Sequence, residues 1–303
     1  MRIARPLTVG TTVLLALVVG AGTAVVGVEA TTWGAWIGLV PGLAILGIGL
    51  RRSVRRWRLA QTGLPDAWAR WLRQHVPLYT RLDADGRRRF ERDVLFVMHE
   101  YTFEGIGDVA VSDALRLAVA AGAATLLHGH PTWELPGTRS VLFYPDRFDD
   151  AYAGGDYASY DGMAHEQGPL IFTQPSVAHS WTDADDGDNV VLHELAHLFD
   201  FQNDGPDGVP SFIDPASEDA WQRLVRREMQ RVRQRRSVLR PYAATAPSEF
   251  FAVAVEVFFE QPDRMERAHK KLFAALASFF NIDPRTGAAP DPASVGLPES
   301  VQR

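Results

Sequence analysis

Two histidines four residues apart, His193 and His197, enclose Glu194 in the run Val190-Val191-Leu192-His193-Glu194-Leu195-Ala196-His197-Leu198-Phe199-Asp200. On a helix this spacing stacks both imidazoles on one face, a turn apart, where they can grip one divalent ion. Glu194 lies one step round and can address a water on the open coordination position. That is the chemistry of metal-assisted peptide hydrolysis, with a carboxylate as general base. The apolar neighbours Val190, Val191, Leu195, Leu198 and Phe199 bury the helix and keep the site partly dry. HExxH also arises by chance on ordinary helices, so the reading turns on a third protein ligand.

The chain has no cysteine, which leaves His, Asp and Glu as ligands. A candidate stretch runs from Tyr242 to Phe259, apolar apart from Glu249 and Glu256 once Pro247 has opened a helix. Two carboxylates on an otherwise buried helix each need a partner. Seven residues apart, they share a face over two turns. A metal ion would satisfy one, and the free N–H of a metal-bound histidine the other. Spacing alone does not say which.

These segments together resemble the Mlc titration factor A family of bacterial zinc metallopeptidases, and the site region resembles the catalytic domain of anthrax lethal factor. The matching stretches are His193 through Asp200, Gly208-Val209-Pro210, and Tyr242 through Glu256 with its Glu-Phe-Phe-Ala core. Gln167-Gly168-Pro169 and Val141-Leu142-Phe143-Tyr144-Pro145 belong to the same pattern, over residues 64–282. The resemblance implies a zincin-like fold, with His193, His197 and Glu249 as ligands to Zn2+, Glu194 as the general base and Tyr242 assisting the transition state. It places Asp200 and Glu256 in support of the ligands. It also implies a peptide or protein substrate and a regulatory protein partner, the glucose-phosphotransferase repressor Mlc.

The sequence departs from that pattern at its N-terminus. Uncharged apolar runs over residues 7–28 and 33–50 are separated only by Glu29, Ala30, Thr31 and Thr32. Each run, at about 1.5 Å per residue, is long enough for a hydrocarbon core of about 30 Å. The pair reads as a transmembrane hairpin over residues 1–52, with Trp33 and Trp36 at an interface. A cleaved leader is the competing reading, but the first run is long for one and a second follows. Arg2 and Arg5 precede the hairpin, and Arg51, Arg52, Arg55, Arg56 and Arg58 follow it. Positive-inside bias therefore puts both flanks, and the domain beyond, in the cytoplasm at a cell membrane.

A basic linker over residues 53–63 leads to the peptidase domain at 64–284, and a Pro-, Gly- and Ala-rich tail at 285–303 reads as disordered. Helices are expected at 66–74, 85–99 and Asp113–Leu127, the last capped by Ser112 and apolar almost all round. Strands are expected at Ser140–Tyr144 and 169–173, with mostly helix after Asn189. Strands early and helices late, without a βαβ rhythm, give an α+β class. Across 303 residues the net charge of −6 leaves no basic footprint for nucleic acid.

Other candidates carry less. His99, His128, His130, His165 and His179 have no partner at helical spacing, and Asp183, Asp185, Asp186 and Asp188 lack the terminal glutamate of a calcium loop. A helix over residues 217–240 presents Arg223, Arg226, Arg227, Arg231, Arg233, Arg235, Arg236 and Arg240 as a solvated basic face, which anionic lipid or an acidic partner could use. Two functions from different classes remain: a membrane-held peptidase, and a binding protein that sequesters a repressor or signalling partner around a structural metal. Glu194 and Tyr242 favour the first, since a structural site needs neither a base nor an oxyanion donor.

Overall fold

A computed structural model describes residues 1–30, 34–137, 139–146, 162–163, 168–200, 208–211, 213 and 215–291. His165, Glu166 and Gln167, and the tail from 292, lie outside the described residues. The chain divides into two compact units, Met1–Gly63 and Leu64–Arg303.

The first unit is a pair of helices, α1 (Pro6–Ala30) and α2 (Gly34–Thr62), packed through small residues. A Cβ on Gly42 would stand 3.0 Å from the Ala16 carbonyl oxygen, and one on Gly49 would overlap the Thr12 side chain at 2.4 Å. Such close approach is how helices associate where solvent gives no hydrophobic drive. Among the described residues one stretch, Pro6–Val25 of α1, is long and apolar enough to cross a membrane. Leu7, Leu14, Leu17, Val18, Leu39, Val40, Leu43 and Ile48 all stand exposed. Residues 53–62, expected as a linker, continue α2 as helix. Arg56 folds back from it to donate to the Arg2 carbonyl.

The second unit begins with α3 (Asp66–His75), α4 (Pro77–Arg81) and α5 (Ala84–Glu100). Asp83 caps α5 by accepting from the Gly86 amide at 2.6 Å. Strand β1 (Thr102–Gly105) follows, then α6 (Asp113–Leu127), β2 (Ser140–Tyr144), β3 (Gly162–Met163) and β4 (Leu170–Thr173). The sheet order is β1-β2-β4-β3, with β1, β2 and β4 parallel and β3 antiparallel to β4. The described sheet is small beside the helices, an α+β arrangement. One expectation is corrected here: β1–α6–β2 is a βαβ crossover, hidden in sequence because β1 is only four residues long and half exposed.

The remainder is helical: α7 (Gln174–His179), α8 (Val190–Asp200), α9 (Pro215–Arg233), a 3-10 turn (Pro241–Ala244), α10 (Pro247–Glu260), α11 (Pro262–Ala268) and α12 (Lys270–Phe280). Helix α8 is buried along almost its whole length because α6 and α10 cover it. Gly122 of α6 makes that possible, since a Cβ there would lie 2.6 Å from Val191 Cγ1 and 3.0 Å from Leu195 Cδ1. Phe250, Phe251 and Phe258 of α10 are fully buried, and Phe280 of α12 closes the cluster. Packing continues past Pro284: Asp283 bridges to Ala288, and Arg285 pairs with Asp283 and lies 4.6 Å over the Phe273 ring.

Candidate metal centre

Helices α8 and α10 run antiparallel and are tied to each other at both ends. At the start of α8, Asn189 is the cap: its Oδ1 accepts from the Leu192 amide at 2.9 Å. Its backbone N–H donates to Glu256 Oε2 at 2.7 Å, and its Nδ2 to Glu260 Oε1 at 2.9 Å, both on the last turns of α10. At the other end, Asp200 Oδ1 accepts from the Gly208 amide at 2.8 Å. Gly208 has φ +76 and lies so close to Pro247 that a Cβ would meet its backbone at 2.5 Å. Asp200 thus fixes the chain that abuts the first turn of α10, where Glu249 sits.

Between those ties the structure brings His193, His197 and Glu249 together, with one donor atom from each inside a 4.8 Å group. His193 Nε2 lies 3.1 Å from Glu249 Oε2 and 3.2 Å from His197 Nε2, and His197 Nε2 lies 3.7 Å from Glu249 Oε2. Ligand bonds of about 2.0–2.1 Å at tetrahedral angles set donor atoms about 3.3–3.5 Å apart, so the three separations suit one ion. The donor set, two imidazoles and a carboxylate, is that of a metal site with an open position.

Electrostatics point the same way. His193 Nδ1 is 2.7 Å from Glu256 Oε1, which fixes the ring and aims Nε2 at the cluster. Burial opposes a charge on His193, yet Glu256 and Glu249 overcome it and push its pKa up to about 10. The same imidazoles hold the Glu249 and Glu256 carboxyls well below their usual range against their own burial. The pocket therefore demands positive charge at the point where the three donors meet. Burial pushes the Glu194 carboxyl up, with His193 and His197 pulling against it.

Glu194 packs against β3. A Cβ on Gly162 would fall 2.6 Å from Glu194 Cγ and 2.8 Å from its Oε1, so only glycine lets this strand lie against the carboxylate. Tyr242, on the 3-10 turn, is 44% exposed, and its ring centre is 6.1 Å from that of His193.

Arg240 was misplaced by sequence reasoning. The expected basic helix ends at Arg233, where Arg235 adopts φ +57 and the Arg236 amide reaches back to the Arg231 carbonyl. This left-handed cap turns the chain inward. Arg240 then grips Glu256 with both terminal nitrogens, each at 2.8 Å. Glu256, buried among four donors, has every lone pair engaged. Arg223, Arg226, Arg227, Arg233, Arg235 and Arg236 do stand exposed, as expected. Asn189, Gly162 and Glu260 were missed as well. Asn189 just before the apolar run was a cap signal; nothing local marked the other two.

The remaining histidines stay apart from the cluster. His99 bonds the Leu95 carbonyl, His130 the Phe279 carbonyl, and His179 faces Asp186. His128 is buried beside Arg89, and burial lowers its pKa to about 4. The aspartates before α8 form local turns, with Asp188 3.3 Å from Arg240.

Comparison with known proteins follows the same residues. The glucose-regulated metallo-peptidase M90 family matches over residues 51–281, which takes in both helices and the turn. The chain belongs to this family. Among M90 relatives, an uncharacterized protein of Synechocystis is 29% identical over 76% of this chain and 89% of its own length. The Mlc titration factor A of Yersinia enterocolitica is 26% identical over 69% of this chain and 84% of its own. That of Salmonella arizonae is 30% identical over 50% and 65% respectively. The family indicates a metallopeptidase, and the clustered His193, His197 and Glu249 provide the place for its metal.

Proposed function

We propose that this chain is a zinc peptidase held at a membrane, with His193, His197 and Glu249 as the metal ligands. The observation that carries the reading is the convergence of those three donors beside the buried carboxylate of Glu194. A zinc ion bound there would polarise a peptide carbonyl and acidify water. Glu194, desolvated and raised in pKa, takes a proton from the attacking water and returns it to the leaving amine. The Tyr242 hydroxyl, on the accessible side, donates to the developing oxyanion, a contribution of about 3–4 kcal/mol for one well-placed donor.

An extended substrate would add to a sheet edge. The sequence suggested β4 for that edge, but β4 is flanked by β2 and β3, so the available edge near Glu194 is β3. The α1–α2 pair serves as the anchor, both helices crossing the bilayer, and the flanking arginines put the second unit on the cytoplasmic side.

The test is metal analysis of the purified chain, then cleavage of a peptide library with and without chelator. Bound zinc near one equivalent and chelator-sensitive cleavage are expected. Cleavage that survives complete metal removal would overturn the proposal. A second reading, capture of a regulatory protein, draws on the name of the Mlc titration factor relatives. It predicts partner binding that Glu194→Gln leaves untouched.

A further inference from the structure

Behind the metal centre, a second group of buried ionisable side chains remains unassigned. His269, at the junction of α11 and α12, is 1% exposed, and Glu228 of α9 is 4% exposed. His269 Nδ1 lies 2.7 Å from Glu228 Oε2, which also takes a bond from Arg231 at 2.9 Å. On its far side, His269 Nε2 lies 3.0 Å from Ser237 Oγ and 3.3 Å from the Val238 amide nitrogen. The Ser237 hydroxyl in turn accepts from the Leu239 amide at 3.0 Å.

The chemistry fixes the tautomer. The Glu228 carboxylate requires a proton on Nδ1, which leaves Nε2 as the acceptor that the Val238 N–H and Ser237 O–H need. The order carboxylate, imidazole, serine is that of a nucleophilic triad, but the Ser237 oxygen is taken up by Leu239 and the group faces the turn. Its product is geometric. The turn over residues 234–240 leaves α9 through a left-handed residue, Arg235, that backbone preference alone would not hold. Three residues after Ser237 comes Arg240, which clamps Glu256 behind His193, and two further on comes Tyr242.

We propose that the buried Glu228–His269–Ser237 chain is a lock on the 234–240 turn, and that His269 is a positioning residue for Arg240 and Tyr242 at the metal centre. The proposal rests on the peptidase reading for its catalytic consequence, while its structural consequence can be read without any hydrolysis. Apolar packing would fill the same volume without paired polar groups, so this network specifies one arrangement of the turn rather than bulk stability.

The experiment compares the full chain with His269→Leu, Ser237→Ala and Glu228→Gln. Hydrogen exchange should speed up at the Val238 and Leu239 amides in His269→Leu by about tenfold or more, while α8 keeps its protection. With zinc bound, kcat for a peptide substrate should fall by about 10²-fold through misplacement of the turn, with KM within about threefold. Glu228→Gln, whose amide oxygen can still accept from Nδ1, should recover most of that loss. In cobalt-substituted protein, the visible absorption should shift alike in His269→Leu and Arg240→Ala.

Unchanged exchange over 234–240 in His269→Leu would overturn the lock. So would faster exchange with kcat and the cobalt spectrum both unmoved. If the unmodified chain cleaves no peptide, the peptidase reading fails, and exchange with the cobalt spectrum still decides the lock. Should His269→Leu not fold, Ser237→Ala, which keeps the imidazole in place, is judged by the same measurements.

Discussion

Glu194 occupies an environment built for proton transfer, buried against the bare backbone of Gly162 and one residue from the stacked imidazoles. Replacing it with glutamine keeps shape and removes the base. Glu194→Gln should therefore retain zinc while kcat falls by about 10²–10⁴-fold, as measured by metal analysis beside peptide turnover. Full activity in that variant would sink the assignment. His193 permits a prediction with a definite sign. In the metal-free protein its pKa is raised from 6.5 to about 10, so across neutral pH a proton sits where the ion must bind. Metal binding displaces that proton, and the apparent affinity should rise about tenfold per pH unit from roughly pH 7 to 9. Competition titration with a chromophoric chelator measures it; an affinity flat in pH would mean that His193 is not the ligand. The same linkage gives the metal-free fold a contribution that is fully present below pH 6.5 and lost as pH rises through about 10.

At the scale of elements, the site is two antiparallel helices joined by polar ties, and this level divides what the sequence disclosed from what it hid. Helix α6 was legible to its ends because Ser112 is a plain cap and the residues after it are apolar on every side. The HExxH helix and the carboxylate pair of α10 were legible from spacing alone, since helical periodicity converts sequence distance into a shared face. Arg240 was not, because a run of arginines reads as one solvated helix, and the residue that breaks it, Arg235, is not a glycine. Strand β3 escaped as well: it is two residues long and acquires meaning only against Glu194. Glu260 belongs with these hidden residues and supplies a prediction at this scale. Burial and the nearby Asp186 and Glu256 carboxylates push its pKa up to about 8, despite bonds from Asn189 and Gly187. Being raised from 4.5, it contributes stability fully present below pH 4.5 and lost as pH rises through about 8. In the metal-free chain, denaturant unfolding should weaken by about 1.4 kcal/mol per pH unit from this one group between pH 5 and 8. Glu260→Gln should remove that part of the slope, and an unchanged slope would show that Glu260 titrates normally.

For the whole molecule, the question is why a peptidase unit follows a helical pair whose exterior is apolar. Leu14, Leu17, Val18, Leu39, Val40 and Leu43 are exposed on that pair. A patch of this kind is rare on a soluble monomer and is at home in lipid. Thr11 and Thr23 satisfy their hydroxyls on carbonyls one turn back, which suits a helix with no water beside it. Positive-inside bias then orients the pair, because the arginines flank its two ends and only Glu29 lies near the connection. Cells expressing the full chain should retain it in membranes after alkaline carbonate extraction. Protease added to intact spheroplasts should leave the second unit whole, whereas inside-out vesicles should lose it. Release by carbonate would remove the anchor, and digestion in intact spheroplasts would reverse the orientation. With the catalytic unit on the cytoplasmic side, its substrates would be cytoplasmic proteins or the inner flanks of membrane proteins, concentrated by the tether rather than by affinity alone.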